Sequence, residues 1–107
     1  MPKKIMVADD EPVITSTFKI GLERNGFQVG AYNNSQQALS EFRPGKYDLL
    51  LLDIWMPGMS GFELYHEIRN VDAGVKACFL TAFGTYRREL TPALDEVKCF
   101  VKKPVTL

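Results

Sequence analysis

Asp9 and Asp10 follow the apolar run Ile5-Met6-Val7-Ala8, and Asp53 follows Leu49-Leu50-Leu51-Leu52. Thr81 ends a run that closes at Leu80, and Lys103 stands before Pro104 just past Phe100-Val101. A short apolar run that stops at a polar residue marks the carboxyl end of a buried strand, the rim where an open α/β sheet gathers its ligands. All five residues then fall on one rim. Three carboxylates crowded together repel one another unless a cation joins them, and an all-oxygen set favours a hard ion such as Mg²⁺. Because Mg²⁺ also binds phosphate oxygens, one carboxylate could act as an aspartyl nucleophile on a phosphoryl group. Thr81 could donate a hydrogen bond to one phosphoryl oxygen and Lys103 could neutralise another. Each residue type alone is commonplace, and an isolated aspartate at a strand end is more often a turn or cap residue.

The elements that must hold this set can be read in order. Lys4–Ala8 is expected as the first strand; Pro12 then suits a helix start, and Ile14, Phe18 and Leu22 form one stripe at four-residue spacing. Gly26 closes that helix, and Phe27 to Tyr32 gives a weaker strand, expected at an edge. Asn34 with Gln37 opens a helix carrying Ala38, Leu39 and Phe42, which Pro44-Gly45 ends. The Leu49–Leu52 run shows no alternation, as in a strand buried on both faces, although periodicity alone leaves a buried helix open. Pro57-Gly58 breaks the chain after Asp53, and Ser60-Gly61-Phe62-Glu63 reads as a capping box opening a helix to about Asn70. Val75 to Leu80 and Val97 to Val101 are the fourth and fifth strands. Between them Pro92 interrupts any long helical pattern, so a short or broken helix is expected there. Alternating strands and helices predict an α/β fold with a parallel sheet covered on both faces.

At 107 residues and 46% hydrophobic content the chain fits one domain, residues 1–107. Thirteen basic and thirteen acidic residues balance, which gives no support for a nucleic-acid or membrane surface. No apolar run approaches the ~18 residues of a membrane span, and no secretory leader opens the sequence, so the cytoplasm is the expected compartment. Cys78 and Cys99 lack metal-ligand spacing and are expected as reduced core thiols. His66 has no ligand set around it and is expected as a solvated side chain.

The motifs VADDEP, LLLLDIWMPGMSG, FLTAFG and FVKKP, in this order and spacing, resemble the receiver domain of two-component response regulators. The resemblance runs from about Lys4 to Leu107. It implies a flavodoxin-like, doubly wound five-stranded sheet in the order 2-1-3-4-5, with Asp53 phosphorylated by a sensor histidine kinase or phosphotransfer protein. It further implies Asp10 and Asp53 as direct Mg²⁺ ligands, Asp9 as a ligand through water, and Trp55 as a ligand through its backbone carbonyl. Thr81 and Phe100 match the switch pair, Lys103 the lysine of the site, and the Lys103-Pro104 bond is expected to be cis. Such a domain catalyses only its own phosphorylation and dephosphorylation; a homodimer, or an output domain beyond Leu107, is compatible with it.

The sequence departs from the family pattern at several places. Leu94–Lys98 lacks the usual small Gly-Ala pair, and Pro92 falls in or beside the fourth helix. Trp55 and Phe83 stand two residues beyond Asp53 and Thr81, so large apolar groups flank the site. The fifth helix would only be starting at Leu107, from which a truncated, partner-supplied or disordered helix is expected. Three other readings stand beside the receiver. A phosphatase of the haloacid dehalogenase class wants a second aspartate at position 55, which is Trp. A flavodoxin wants a phosphate-cradling loop after the first strand, and here that loop is acidic. A receiver-like interaction module that is never phosphorylated would carry its clustered carboxylates at an electrostatic cost.

Overall fold

The computed structural model describes residues 3–81 and 100–102, with Thr81 and Phe100–Lys102 described by backbone. The expected broken helix, Phe83, Pro92, Cys99, Lys103 with its proline bond, and the start of the fifth helix lie outside the described residues. The elements in chain order are β1 (Lys4–Ala8), α1 (Pro12–Arg24), β2 (Gln28–Tyr32), α2 (Ser35–Glu41), β3 (Leu49–Asp53), α3 (Gly61–Val71), β4 (Lys76–Thr81) and β5 (Phe100–Lys102). The strands form one parallel sheet in the order β2-β1-β3-β4-β5, as the family resemblance implied.

The unbroken leucine run of β3 is explained by its place in the middle of this sheet. Leu50 and Leu52 point to one face with Met6, Ala8, Ala38, Leu64, Ile68 and Phe79. Leu51 points to the other, with Ile5, Val7, Phe18 and Leu80. Strand side chains alternate between faces, so a strand with helices on both sides must be apolar at every position. On α1, Phe18 is buried and Ile14 and Leu22 pack against the second cluster, so the stripe read from the sequence is the face that docks.

The helix ends follow local chemistry. After α1, Gly26 takes a φ of +92°, the Gly26 N–H bonds the Glu23 carbonyl at 3.1 Å and the Phe27 N–H bonds that of Leu22 at 3.1 Å. This double closure around a left-handed glycine is a Schellman motif. The Asn34 side chain accepts from the Gln37 N–H at 2.7 Å and starts α2. Ser60 and Glu63 form the complete reciprocal box at the start of α3, with bonds of 3.1 and 3.0 Å. Phe42 is buried as the C-cap of α2, one position past the helix that was expected to carry it.

Cys78 corrects the sequence reading: it is disulfide-bonded, where a reduced thiol was expected. Sequence spacing does not display which cysteines a fold brings within bonding distance. Among the described residues no helix is long and apolar enough to cross a membrane.

Candidate functional site

β1 and β3 run side by side with Ala8 opposite Leu52, so Asp9 and Asp53 are the next pair along the two strands. Asp9 is fully buried and Asp53 is 4% exposed, while Asp10 is on the surface. Carboxylate oxygens of all three lie within 4.8 Å of one another. The apolar runs that precede these residues form the strands, and the strands end together because the sheet is parallel. Register therefore brings Asp9 and Asp53, 44 residues apart in sequence, to one rim.

Local bonds fix the acidic loop. The Asp9 N–H bonds the Tyr32 carbonyl at 3.1 Å, extending the β1–β2 ladder, and Asp9 Oδ1 accepts the Glu11 N–H at 2.9 Å. On the other side, the Ile54 N–H bonds the Leu80 carbonyl at 3.2 Å and the Gly61 N–H bonds that of Ile54 at 2.9 Å. A Cβ at Gly61 would collide with the backbone carbonyl of Asp53, so only glycine lets α3 start this close to the strand end. Ile54 and Met56 are buried and anchor the loop, while Trp55 between them is 47% exposed. Trp55 therefore stands at the surface of the loop that follows Asp53.

Thr81 ends β4, one position past Leu80, which is the register partner of Asp53. The Thr81 backbone is thus at the same rim, opposite Lys102 of β5. Phe100 pairs with Phe79 across the β4–β5 ladder. Lys103 lies outside the described residues. His66 is exposed on α3, as a solvated side chain should be.

Asn33, in the loop after β2, and Ser35, the first residue of α2, bear on the site without having been singled out from sequence. Asn33 Nδ2 donates to the Asp9 carbonyl and to Thr15 Oγ1, each at 3.0 Å. Ser35 Oγ donates to the Met59 carbonyl at 2.9 Å. The tract Asn33-Asn34-Ser35 reads locally as a helix start, and local pattern contains nothing about which distant carbonyls its side chains reach.

The chemistry of the donors suits a hard divalent cation. Three carboxylates supply oxygen ligands only, two of them buried, and a small divalent ion is the group that relieves their mutual repulsion.

The family model for the response regulator receiver domain matches residues 5–107. The transcriptional regulatory protein TrcR of Mycobacterium tuberculosis is 29% identical over 106 residues, which cover 99% of this chain and 41% of TrcR. The chemotaxis protein CheY of Bacillus subtilis is 30% identical over 105 residues, covering 97% of this chain and 88% of CheY. Among solved structures, the response regulator TrrA of Thermotoga maritima, in complex with Mg²⁺-BeF, superposes with a TM-score of 0.84 at 38% identity, covering 97% of this chain and 89% of that one. The chain spans less than half the length of several transcriptional regulators it matches, 41% to 45% of each. With the family match over nearly its whole length and the 2-1-3-4-5 parallel sheet that carries the acidic rim, the chain belongs to the response regulator receiver domain family.

Proposed function

We propose that this chain is a phosphoacceptor: with Mg²⁺ held at Asp9, Asp10, Asp53 and the Trp55 carbonyl, Asp53 takes a phosphoryl group from the phosphohistidine of a sensor kinase or phosphotransfer protein. The observation that carries the reading is the closeness of the three carboxylates, all within 4.8 Å at the carboxyl edge of the sheet. The bound form of TrrA, which holds Mg²⁺-BeF, supports the choice of ion. When bound, the ion supplies positive charge against the carboxylates and the phosphoryl oxygens.

The transfer is a single displacement at phosphorus. An Asp53 carboxylate oxygen forms the new O–P bond, the N–P bond of the phosphohistidine breaks, and the imidazole leaves with the electron pair. The Thr81 hydroxyl donates to one phosphoryl oxygen and the Lys103 ammonium neutralises another. Donor positioning and charge stabilisation supply the catalysis, which is the division of labour that phosphoryl transfer requires. Thr81 and Phe100 then report the modification to the outer surface, where an output domain or a second receiver reads it. In this reading residues 1–107 work as one receiver domain in the cytoplasm, and the only reactions catalysed are gain and loss of the chain's own phosphoryl group.

The reading is tested by intact mass after incubation with a small acyl phosphate such as acetyl phosphate. One added phosphoryl group is expected with Mg²⁺, and none with EDTA or in Asp53→Asn. Uptake at the unaltered rate in Asp53→Asn, or indifference to EDTA, overturns it.

A further inference from the structure

Asp10 is the one exposed member of the acidic cluster, and a surface carboxylate without a fixed backbone would sample many positions. The direction in which its side chain leaves the main chain is set by the two peptide planes that flank it, since each peptide unit is rigid and leaves only φ and ψ of residue 10 to turn. The plane after Asp10 carries the Glu11 N–H, held by Asp9 Oδ1 at 2.9 Å. The plane before it carries the Asp9 carbonyl, which accepts from Asn33 Nδ2 at 3.0 Å. Asn33 uses its second N–H on Thr15 Oγ1, also at 3.0 Å, and the buried Thr15 hydroxyl passes the tie to the Pro12 carbonyl at 3.1 Å in the first turn of α1. Both hydrogens of one amide are thereby spent, one on the acidic loop and one on the helix that follows it.

We infer that Asn33 is a positioning residue for the metal: by pinning the Asp9–Asp10 peptide it keeps the Asp10 carboxylate directed at Asp9 and Asp53. The inference rests on the phosphoacceptor reading only in taking the ion to be Mg²⁺. Asn33 touches no carboxylate of the cluster in this arrangement, so its effect reaches the ion through the backbone. Removing an outer partner of this kind ordinarily lowers metal affinity by about 10–100-fold. Asn34, its neighbour, supplies the control, because its side chain only caps α2.

The test is calorimetric titration of the unaltered chain, Asn33→Ala and Asn34→Ala with Mg²⁺ alone, followed in parallel by the fluorescence of Trp55, the single tryptophan. Thermal unfolding in EDTA measures what each substitution does to the fold. The expected result is a Kd raised about 10-fold in Asn33→Ala and unchanged in Asn34→Ala, with Asn33→Ala unfolding in EDTA no earlier than Asn34→Ala. Unchanged affinity in Asn33→Ala, or equal weakening in both variants, overturns the inference by showing no specific role for the Asn33 amide. Absence of Mg²⁺ binding by the unaltered chain overturns the phosphoacceptor reading itself, and the inference with it.

Discussion

Asp9, Asp10 and Asp53 are placed where each raises the electrostatic cost of the others. At separations near 4–5 Å a pair of like charges repels by ~1–4 kcal/mol, depending on how much water screens it. The folded, metal-free protein bears that cost, so neutralising one member should stabilise it. Asp10→Asn is the informative change, because Asp10 is exposed and the substitution disturbs no buried contact. In EDTA its melting temperature should exceed that of the unaltered chain by about 4–8 °C for each kcal/mol relieved, and a melting temperature equal or lower would show that the cluster is not under repulsion. Trp55 carries a second expectation at this scale. Two residues beyond Asp53 and half exposed, it offers an apolar wall where a polar side chain could orient a hydrolytic water. Trp55→Asn should shorten the lifetime of the phosphorylated form about tenfold, a change of ~1.4 kcal/mol in the barrier, followed by loss of phosphate mass with time. An unchanged decay rate would assign Trp55 no part in excluding water.

At the scale of elements, close approach of backbone to backbone decides which positions tolerate change. Gly61 opens α3 against the Asp53 carbonyl, while Gly30 of β2 faces the Tyr47 hydroxyl. Gly61→Ala must move main chain at Asp53, the proposed acceptor, and should cost ~1–3 kcal/mol in denaturant unfolding while slowing phosphorylation. Gly30→Ala meets the hydroxyl end of the Tyr47 side chain rather than main chain at Asp53, so it should destabilise the fold and leave the phosphorylation rate of the folded protein as it was. Equal effects of the two on that rate would contradict the placement of α3. The same Tyr47 gives the loop between α2 and β3 a pH signature. Burial, and then its hydrogen bond with Tyr32 at 3.1 Å, push the phenol well above its ordinary range near 10. The folded chain keeps this proton where the unfolded chain has lost it, so stability present below about pH 10 falls as pH rises past that value. Tyr47→Phe should flatten that part of the decline in urea midpoints measured from pH 8 to 11, and an identical slope in both proteins would place Tyr47 outside the effect.

For the whole molecule, most of the architecture and the acidic part of the site were legible in the residues. Strand ends are marked by abrupt changes from Leu52 to Asp53 and from Ala8 to Asp9, and parallel pairing makes those ends neighbours. Helix starts are marked by Asn34 and Ser60, whose caps are formed in the structure. What did not show were side-chain contacts between distant segments that no local pattern announces. Asn33 reaching Asp9 and Ser35 reaching Met59 are of this kind. Local pattern encodes which way a side chain points, whereas its partner is chosen by the sheet order. The receiver family match places the acidic rim in a signalling context, and the claim that organises everything else is that the covalent change falls on Asp53. The most direct measurement is reduction of the phosphorylated protein with borohydride, which converts an aspartyl phosphate to homoserine, followed by peptide mapping by tandem mass spectrometry. Homoserine at position 53, formed with Mg²⁺ and absent with EDTA, is the result expected; homoserine at Asp9 or Asp10, or phosphate carried on His66 with position 53 unchanged, would contradict the account.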